Sequence, residues 1–289
     1  MALIPPGFLD CVVSIGVPTQ DAGPSWIGTG FMAGHYVDGE GEEKRYSTFL
    51  VTNKHVLNGK DNIIVRFGNS DHSGVLDYPV QLQDANGAIW IGHPAPDIDV
   101  AAISINAHVL RRDTAAFEFF SLDKNAVGIA EMRSMGVSEG DGVFVLGFPM
   151  GIVAEQTMFV IARAGCIARV RDVLNSHASA FLIDANIFPG NSGGPVVISP
   201  ELASITGTQA IHRSALIGIV KSYVPYQDVA ISKQTGNARV IFEENSGLAL
   251  VETVDSIRTA VELCHRIRVA PQLAPTIDPA HSALPDANG

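Results

Sequence analysis

The sequence predicts an all-β protein built as two β-rich subdomains, and three observations predict it. Hydrophobic residues make up 46% of 289 residues, enough to bury a sizeable core. With 13 Phe, 28 Gly and 16 Pro, the composition suits short strands joined by tight turns. Runs rich in β-branched and aromatic residues recur along the chain, and only one segment, after residue 252, carries a helical period.

The first subdomain is expected over residues 8–125. Its strands are read at residues 11–17 and 27–34, then through a polar hairpin at 38–45 into 47–53, which runs directly into Lys54-His55-Val56-Leu57. Further strands are read at 63–67 and 88–91, and Asp97 and Asp99 stand at the head of an apolar strand ending at residue 105. Gly28-x-Gly30-x-x-Ala33 has glycines at dinucleotide-loop spacing, but no crossover helix follows it.

The second subdomain is expected over residues 126–252, with strands at 143–148, 158–162, 166–170, 180–184, 195–198, 215–220 and 248–251. Their connections are short enough for an antiparallel barrel. Residues 200–214 and 226–246 read as long polar loops, a length usually tied to function or mobility. A closing amphipathic helix is expected over 253–268, with Thr253 as N-cap and Val254, Ile257, Val261 and Cys264 on its apolar face. The Pro- and Ala-rich stretch 270–289 reads as a disordered tail.

A formal net charge of -11 argues against nucleic acid or an anionic membrane as partner, because phosphate binding needs clustered Lys and Arg. Cys11, Cys166 and Cys264 are too few and too scattered for a disulfide framework or a zinc site, so neither metal nor cofactor is expected. No charged segment followed by a continuous apolar run opens the chain, and no stretch approaches the ~20 apolar residues of a membrane helix. The expectation is a protein of a reducing compartment, the bacterial cytoplasm.

The chemistry concentrates at Pro189-Gly190-Asn191-Ser192-Gly193-Gly194-Pro195. A hydroxyl between glycines on a tight turn has the makings of a nucleophile, and the N–H groups of Gly190 and Ser192 are placed to receive an oxyanion. The same residues also make an ordinary Pro-Gly-Asn turn. What separates the readings is a base and a carboxylate at strand ends upstream, and His55 with Asp99 or Asp97 supplies them in the order His, Asp, Ser. Asp99 is preferred because it directly precedes the strand, whereas Asp97 follows Pro96 as a turn residue.

These segments, with Gly140-Asp141-Gly142-Val143-Phe144-Val145-Leu146-Gly147-Phe148-Pro149 between them, resemble the trypsin-like serine peptidases, above all the bacterial HtrA/Deg branch, over about residues 8–268. The resemblance implies two six-stranded antiparallel β-barrels of the chymotrypsin type with the active site between them, and a polypeptide substrate; the PDZ domain that HtrA proteins carry is not expected, because too few residues follow the closing helix. It implies Ser192 as nucleophile, His55 as general base and Asp99 as the group that orients the imidazole. It implies a substrate pocket formed by Asn186, Ile187, Ile219, Val220, Lys221, Leu248 and Ala249, without the Asp that selects Arg and Lys. Lys221 falls where the family often has a small residue, and its direction is left open. Asn191 replaces the Asp that pairs with a cut N-terminus in zymogen-activated trypsins, and Val56 stands where secreted trypsins carry Cys. Control by an activating protein partner is therefore one expectation.

Two other readings are weighed. Gly190-x-Ser192-x-Gly194 matches the nucleophile elbow of an α/β-hydrolase, but that fold needs a helix after the serine, and Pro195-Val196-Val197-Ile198 reads as a strand. A degenerate peptidase fold kept as a binding module is disfavoured by the complete set of three residues.

Overall fold

The computed structural model describes residues 3–20, 23–71, 73–85, 87–201, 203 and 206–270. The tail expected at 270–289 lies, but for its first residue, outside them. In the first half the strands are β1 (Val12–Val17), β2 (Ser25–Asp38), β3 (Arg45–Thr52), β4 (Asn62–Asn69), β5 (Val75–Gln81), β6 (Gln83–Asp84), β7 (Gly87–Ala88), β8 (Ile91–Gly92), β9 (Ala101–Ile105), β10 (Ala115–Ala116) and β11 (Phe120–Ser121). Nine of them form one sheet, ordered β10-β4-β1-β2-β3-β9-β8 with β5 on β4 and β11 on β2, while β6 and β7 pair apart. The strand read at 88–91 is broken into β7 and β8, because Ile89 N–H turns back to Leu82 O instead of continuing a ladder.

The second half contains β12 (Gly142–Gly147), β13 (Ile161–Arg169), β14 (Ala180–Asp184), β15 (Pro195–Ile198), β16 (Ala215–Ile231) and β17 (Ala238–Thr253). These six close into a barrel, β12-β13-β14-β17-β16-β15, with every pairing antiparallel. Among the described residues only this half closes through its hydrogen bonds; the first-half sheet ends at β10 and β8. The separate strands read at 158–162 and 166–170 are one strand, β13, since Gly165 pairs with Val143 and carries the ladder through.

The largest departure is at 226–246. Instead of a polar loop, β16 and β17 run on as a two-stranded ribbon, paired from Pro225↔Asn245 to Ile231↔Ala238 with one register shift, between Ala230 and Ile231. Charged residues interleave with Val229, Ile231, Val240, Ile241 and Phe242 and mask their β-branched and aromatic character.

Three buried clusters hold the fold. One fills the closed barrel around Val145, Ile167, Ile183, Val196 and Ile217. A second lies within the first-half sheet around Ile15, Leu50, Ile63 and Ile103. The third joins the halves: Phe31, Phe49 and Phe120 pack with Phe148, Val197, Leu216 and Ile219, and the helix Val254–Cys264 seals it with Val254, Ile257, Ala260, Val261 and Cys264. That helix begins as expected, with Thr253 Oγ1 accepting from Ser256 N–H, and runs into a π-helical turn, His265–Val269.

The end of this helical segment stacks on the first-half sheet, with the His265 and His35 ring centroids 4.6 Å apart. Burial lowers the proton affinity of both rings; for His35 the neighbouring His265 lowers it further and Glu262 opposes. An unfolded histidine titrates near ~6.5, so below that pH the unfolded chain binds more protons than the folded one. Stability contributed here is full at neutral pH and falls as pH drops through that value towards the folded ones. Thermal melts between pH 7 and 5 should show a falling midpoint, with a shallower slope in His265→Phe; an unchanged slope would dissociate the pair from acid sensitivity.

Candidate active site

Strand β3 delivers Thr52 and Asn53 to the edge of the cleft, and the short helix Lys54–Leu57 then turns His55 outward while burying Val56 and Leu57. The His55 ring meets Asp99 through Nδ1 and Oδ2 at 2.5 Å, and the His55 backbone N–H donates to Asp99 Oδ1 at 3.1 Å. With a carboxylate on Nδ1, the proton belongs on that nitrogen and Nε2 is left as an acceptor. Burial pushes the Asp99 carboxyl up, but the hydrogen bonds and charge of His55 outweigh it and hold it below its ordinary value. Asp99 therefore stays ionised through neutral pH.

The strand-head loop is fixed by backbone contacts. Asn53 Nδ2 donates to Asp99 O at 2.6 Å, and Asp99 N–H donates to Glu252 Oε1 at 3.2 Å. Asp97 contributes its carbonyl, which accepts from Lys221 Nζ at 2.6 Å. Asp99 thus faces the imidazole, and Asp97 serves as an anchor for Lys221.

Ser192 sits on the turn between β14 and β15. Gly190 and Gly193 have φ of 99° and 85°, where a side chain is strained, and a Cβ on either would strike a carbonyl, of Phe148 and Thr29 respectively. Pro189 O accepts from Met150 N–H at 2.6 Å, and a trans peptide points its C=O and N–H in opposite directions, so Gly190 N–H is aimed away from Met150. Asn191 N–H, in contrast, is spent on Phe188 O. Among the described residues neither Gly190 N–H nor Ser192 N–H donates to a backbone carbonyl, and no hydrogen bond joins the Ser192 hydroxyl to His55.

Thr29, which the sequence reading passed over, pins this turn. Its N–H donates to Ser192 O at 2.9 Å, its hydroxyl donates to Gly190 O at 2.7 Å and accepts from Phe148 N–H at 3.1 Å, and its carbonyl accepts from Thr52 Oγ1 at 2.8 Å. Its only signal in the sequence is a threonine between two glycines, Gly28 and Gly30, in an apolar strand.

His55, Asp99 and Ser192 line one cavity of about 400 Å³ together with Ile187, Phe188, Pro189, Lys221, Ser222 and Tyr223. Of the expected pocket residues, Ile187 and Lys221 are there. Ile219, Val220 and Ala249 are not: all three are fully buried in the cores behind it. Asn186 and Leu248 also stand off this cavity. A register shift between Val220 and Ser222 ends the buried run of β16, and Lys221, Ser222 and Tyr223 beyond it line the cavity.

Lys221 enters the site, settling its direction. Besides Asp97 O it reaches Glu252 Oε1 at 2.9 Å, and Glu252 is wholly buried with Oε2 unpartnered among the described residues. Lys221 and Glu252, on adjacent strands, tie the closed barrel to the loop that carries Asp99.

Residues 28–201 match the family model described as the trypsin-like peptidase domain. The chain is 28% identical over 160 residues to "Putative protease Do-like 3, mitochondrial" of Arabidopsis thaliana, a match that takes in 54% of this chain and 23% of that protein. Similar solved structures include the Rv3671c protease in its inactive form, at 16% identity and a TM-score of 0.43 over 89% of this chain and 90% of that one. The Vibrio cholerae VesB protease is 13% identical with a TM-score of 0.44, over 87% and 63%. Among the described residues no helix is long and apolar enough to cross a membrane.

Removing one member of a buried ion pair strands the other charge. Lys221→Met should therefore destabilise the protein by about 3 kcal/mol in urea unfolding. Lys221→Met combined with Glu252→Leu should be less destabilised than the sum of the two single variants, since the stranded carboxylate is gone. Additive losses would show that the pair is not coupled.

Proposed function

Because the chain belongs to the trypsin-like peptidase domain family, we propose that it is a serine endopeptidase acting through Ser192, His55 and Asp99. The observation that carries the reading is the 2.5 Å contact of His55 with Asp99 in the cavity that Ser192 also lines, beside two N–H groups spent on no backbone carbonyl. In this reading residues 8–125 supply the base and carboxylate, and residues 126–252 supply the nucleophile and pocket, as one barrel-like half facing another.

Ser192 Oγ attacks the scissile carbonyl while its proton passes to His55 Nε2, and Asp99 stabilises the imidazolium that results. The carbonyl oxygen, now negative, takes the N–H groups of Gly190 and Ser192. Collapse breaks the C–N bond, with His55 returning the proton to the leaving amine. Water, deprotonated by His55, then hydrolyses the acyl ester and frees Ser192. Substrate closes the gap between Ser192 and His55, as catalytic hydrogen bonds commonly tighten only on binding.

Ile187, Phe188, Pro189 and Tyr223 make the walls of the cavity largely apolar. The Lys221 ammonium is taken up by Asp97 O and Glu252, so it offers no free charge to an acidic side chain. A small or medium apolar residue beside the scissile bond is the preferred substrate feature. The bonds that Met150 N–H and Gly194 N–H make to Pro189 O and Asn191 O, the carbonyls of the peptides that carry Gly190 N–H and Ser192 N–H, support an oxyanion site formed without a partner.

A fluorophosphonate probe should label the isolated protein at Ser192, with labelling lost in Ser192→Ala and His55→Ala. Turnover of a peptide substrate should fall by a factor on the order of 10⁴ in Asp99→Asn and stay near wild type in Asp97→Asn. A labelled Ser192→Ala protein would refute the assignment of the nucleophile. Thr29→Val keeps the shape of the side chain but frees Gly190 O and Phe148 N–H, and kcat should drop on the order of 10²-fold, the scale of losing one oxyanion donor, with KM little changed.

A further inference from the structure

The backbone of Asp99 is held from two directions. Asn53 Nδ2, in the first half, donates to its carbonyl at 2.6 Å, and its own N–H donates to Glu252 Oε1 at 3.2 Å. Glu252 stands on β17 of the closed barrel, opposite Ile219 of β16, and its side chain is wholly buried. The loop ahead of Asp99 is held at Ala95, whose carbonyl accepts from Lys54 Nζ at 2.8 Å and whose N–H donates to His93 Nδ1 at 3.1 Å, and at Asp97 O by Lys221. Of these contacts, only that of Glu252 joins the barrel to Asp99 itself.

The barrel end of this bond is close to the anchor of the nucleophile. Glu252 follows Val251, Val251 lies opposite Val220, and Val220 exchanges backbone bonds with the Ser192 turn: Gly193 N–H donates to Val220 O at 3.1 Å, and Val220 N–H donates to Gly194 O at 2.9 Å. One side chain and one rung of the sheet therefore tie Asp99 to the two residues that follow Ser192. Stability is a weak account of the arrangement, because apolar residues of similar volume often replace a buried charged pair at no loss. An N–H fixed at a buried point, in contrast, needs an acceptor.

We propose that Glu252 is a positioning residue for the reaction: by accepting from Asp99 N–H it holds the Asp99 carboxylate on His55, in place beside the turn that carries Ser192. This rests on the peptidase reading above. Glu252 acts only through Asp99, since it stands off the cavity that the three reacting side chains line. Without the acceptor the strand-head loop relaxes, and a misplacement of about 1 Å in a catalytic group can lower the rate on the order of 10²-fold. The loss falls on kcat and spares KM, because Ile187, Phe188 and Pro189 of the cavity wall belong to the second half.

The test compares two double variants, Lys221→Met with Glu252→Gln and Lys221→Met with Glu252→Leu. Both lack the charged pair and share the same change in the cavity, and they differ in whether an acceptor remains for Asp99 N–H. On a peptide substrate kcat should be at least about tenfold higher in the Gln protein, with KM equal within about twofold. In a Ser192→Ala background, which needs no turnover, the Nδ1 proton that His55 shares with Asp99 should give a low-field NMR resonance that the Gln protein keeps and the Leu protein loses. Equal kcat in the two doubles would overturn the proposal, since no acceptor would then be needed. A difference confined to KM or to the urea midpoint would make Glu252 a purely structural residue and overturn it as well, as would a resonance unchanged in the Leu protein. A wild-type protein that cleaves no peptide and takes no fluorophosphonate, while the resonance still separates the doubles, would sink the peptidase reading and leave the hold of Glu252 on Asp99 standing.

Discussion

Four hydrogen bonds at Thr29 set the shape of the candidate site. The turn around Ser192 contains two glycines at positive φ and, left to itself, has many conformations available. Thr29 removes that freedom from outside the turn, by holding the carbonyls of Gly190 and Ser192 and the N–H of Phe148 while Thr52 holds Thr29 in turn. The N–H groups that follow the two carbonyls held by Thr29, those of Asn191 and Gly193, are spent on Phe188 O and Val220 O, while those of Gly190 and Ser192 follow Pro189 O and Asn191 O, which accept from Met150 N–H and Gly194 N–H. The turn is therefore held at four successive carbonyls, from Pro189 to Ser192. Gly193 is required for the same reason, since a side chain there would meet the Thr29 carbonyl.

A second set of bonds performs the matching task for the carboxylate. Asp99 lies on a loop, yet its carbonyl is held by Asn53 and its N–H by Glu252, so the loop is clamped from both halves. Lys221 closes the clamp by joining Glu252 to Asp97. A wholly buried carboxylate is costly unless paired, and Glu252 is paired with Lys221 and with the Asp99 N–H. The halves are therefore joined by more than the apolar cluster between them, through the contacts of Lys221 and Glu252 with the loop that carries Asp97 and Asp99.

How far the sequence was legible follows from how local each signal is. Turn chemistry marked Ser192 and its glycines, and strand alternation marked 180–184 and 195–198 with their observed bounds. The preference for Asp99 over Asp97 rested on its place at the strand head, and the contact with His55 lies on that residue. What escaped depended on partners distant in sequence. Nothing near Lys221 announces Glu252, and nothing near Thr29 announces Gly190, because these contacts exist only once the halves meet. The pocket wall at Ile219, Val220, Leu248 and Ala249 is what the resemblance alone implies; Ile219, Val220 and Ala249 lie in the cores, and the residues of β16 that line the cavity follow the register shift after Val220. Residues 226–246 were misjudged because charges on a solvated ribbon resemble those of a loop, while ladder hydrogen bonds leave no trace in composition.

One strand, β16, then carries three environments in succession. Its first residues are core, Lys221 to Tyr223 are cavity wall, and the remainder is exposed ribbon. An isolated two-stranded ribbon is at best marginally stable in water. Here its root is locked into a closed barrel, with β14 and β15 pairing to β17 and β16, and register shifts after Val220 and Tyr223 separate the ribbon's pairing from that of the barrel. The same root ends beside Ser192. The irregular stretch between barrel and ribbon, Lys221 to Tyr223, is the part of β16 that lines the cavity, so the strand changes its pairing register where it changes its environment.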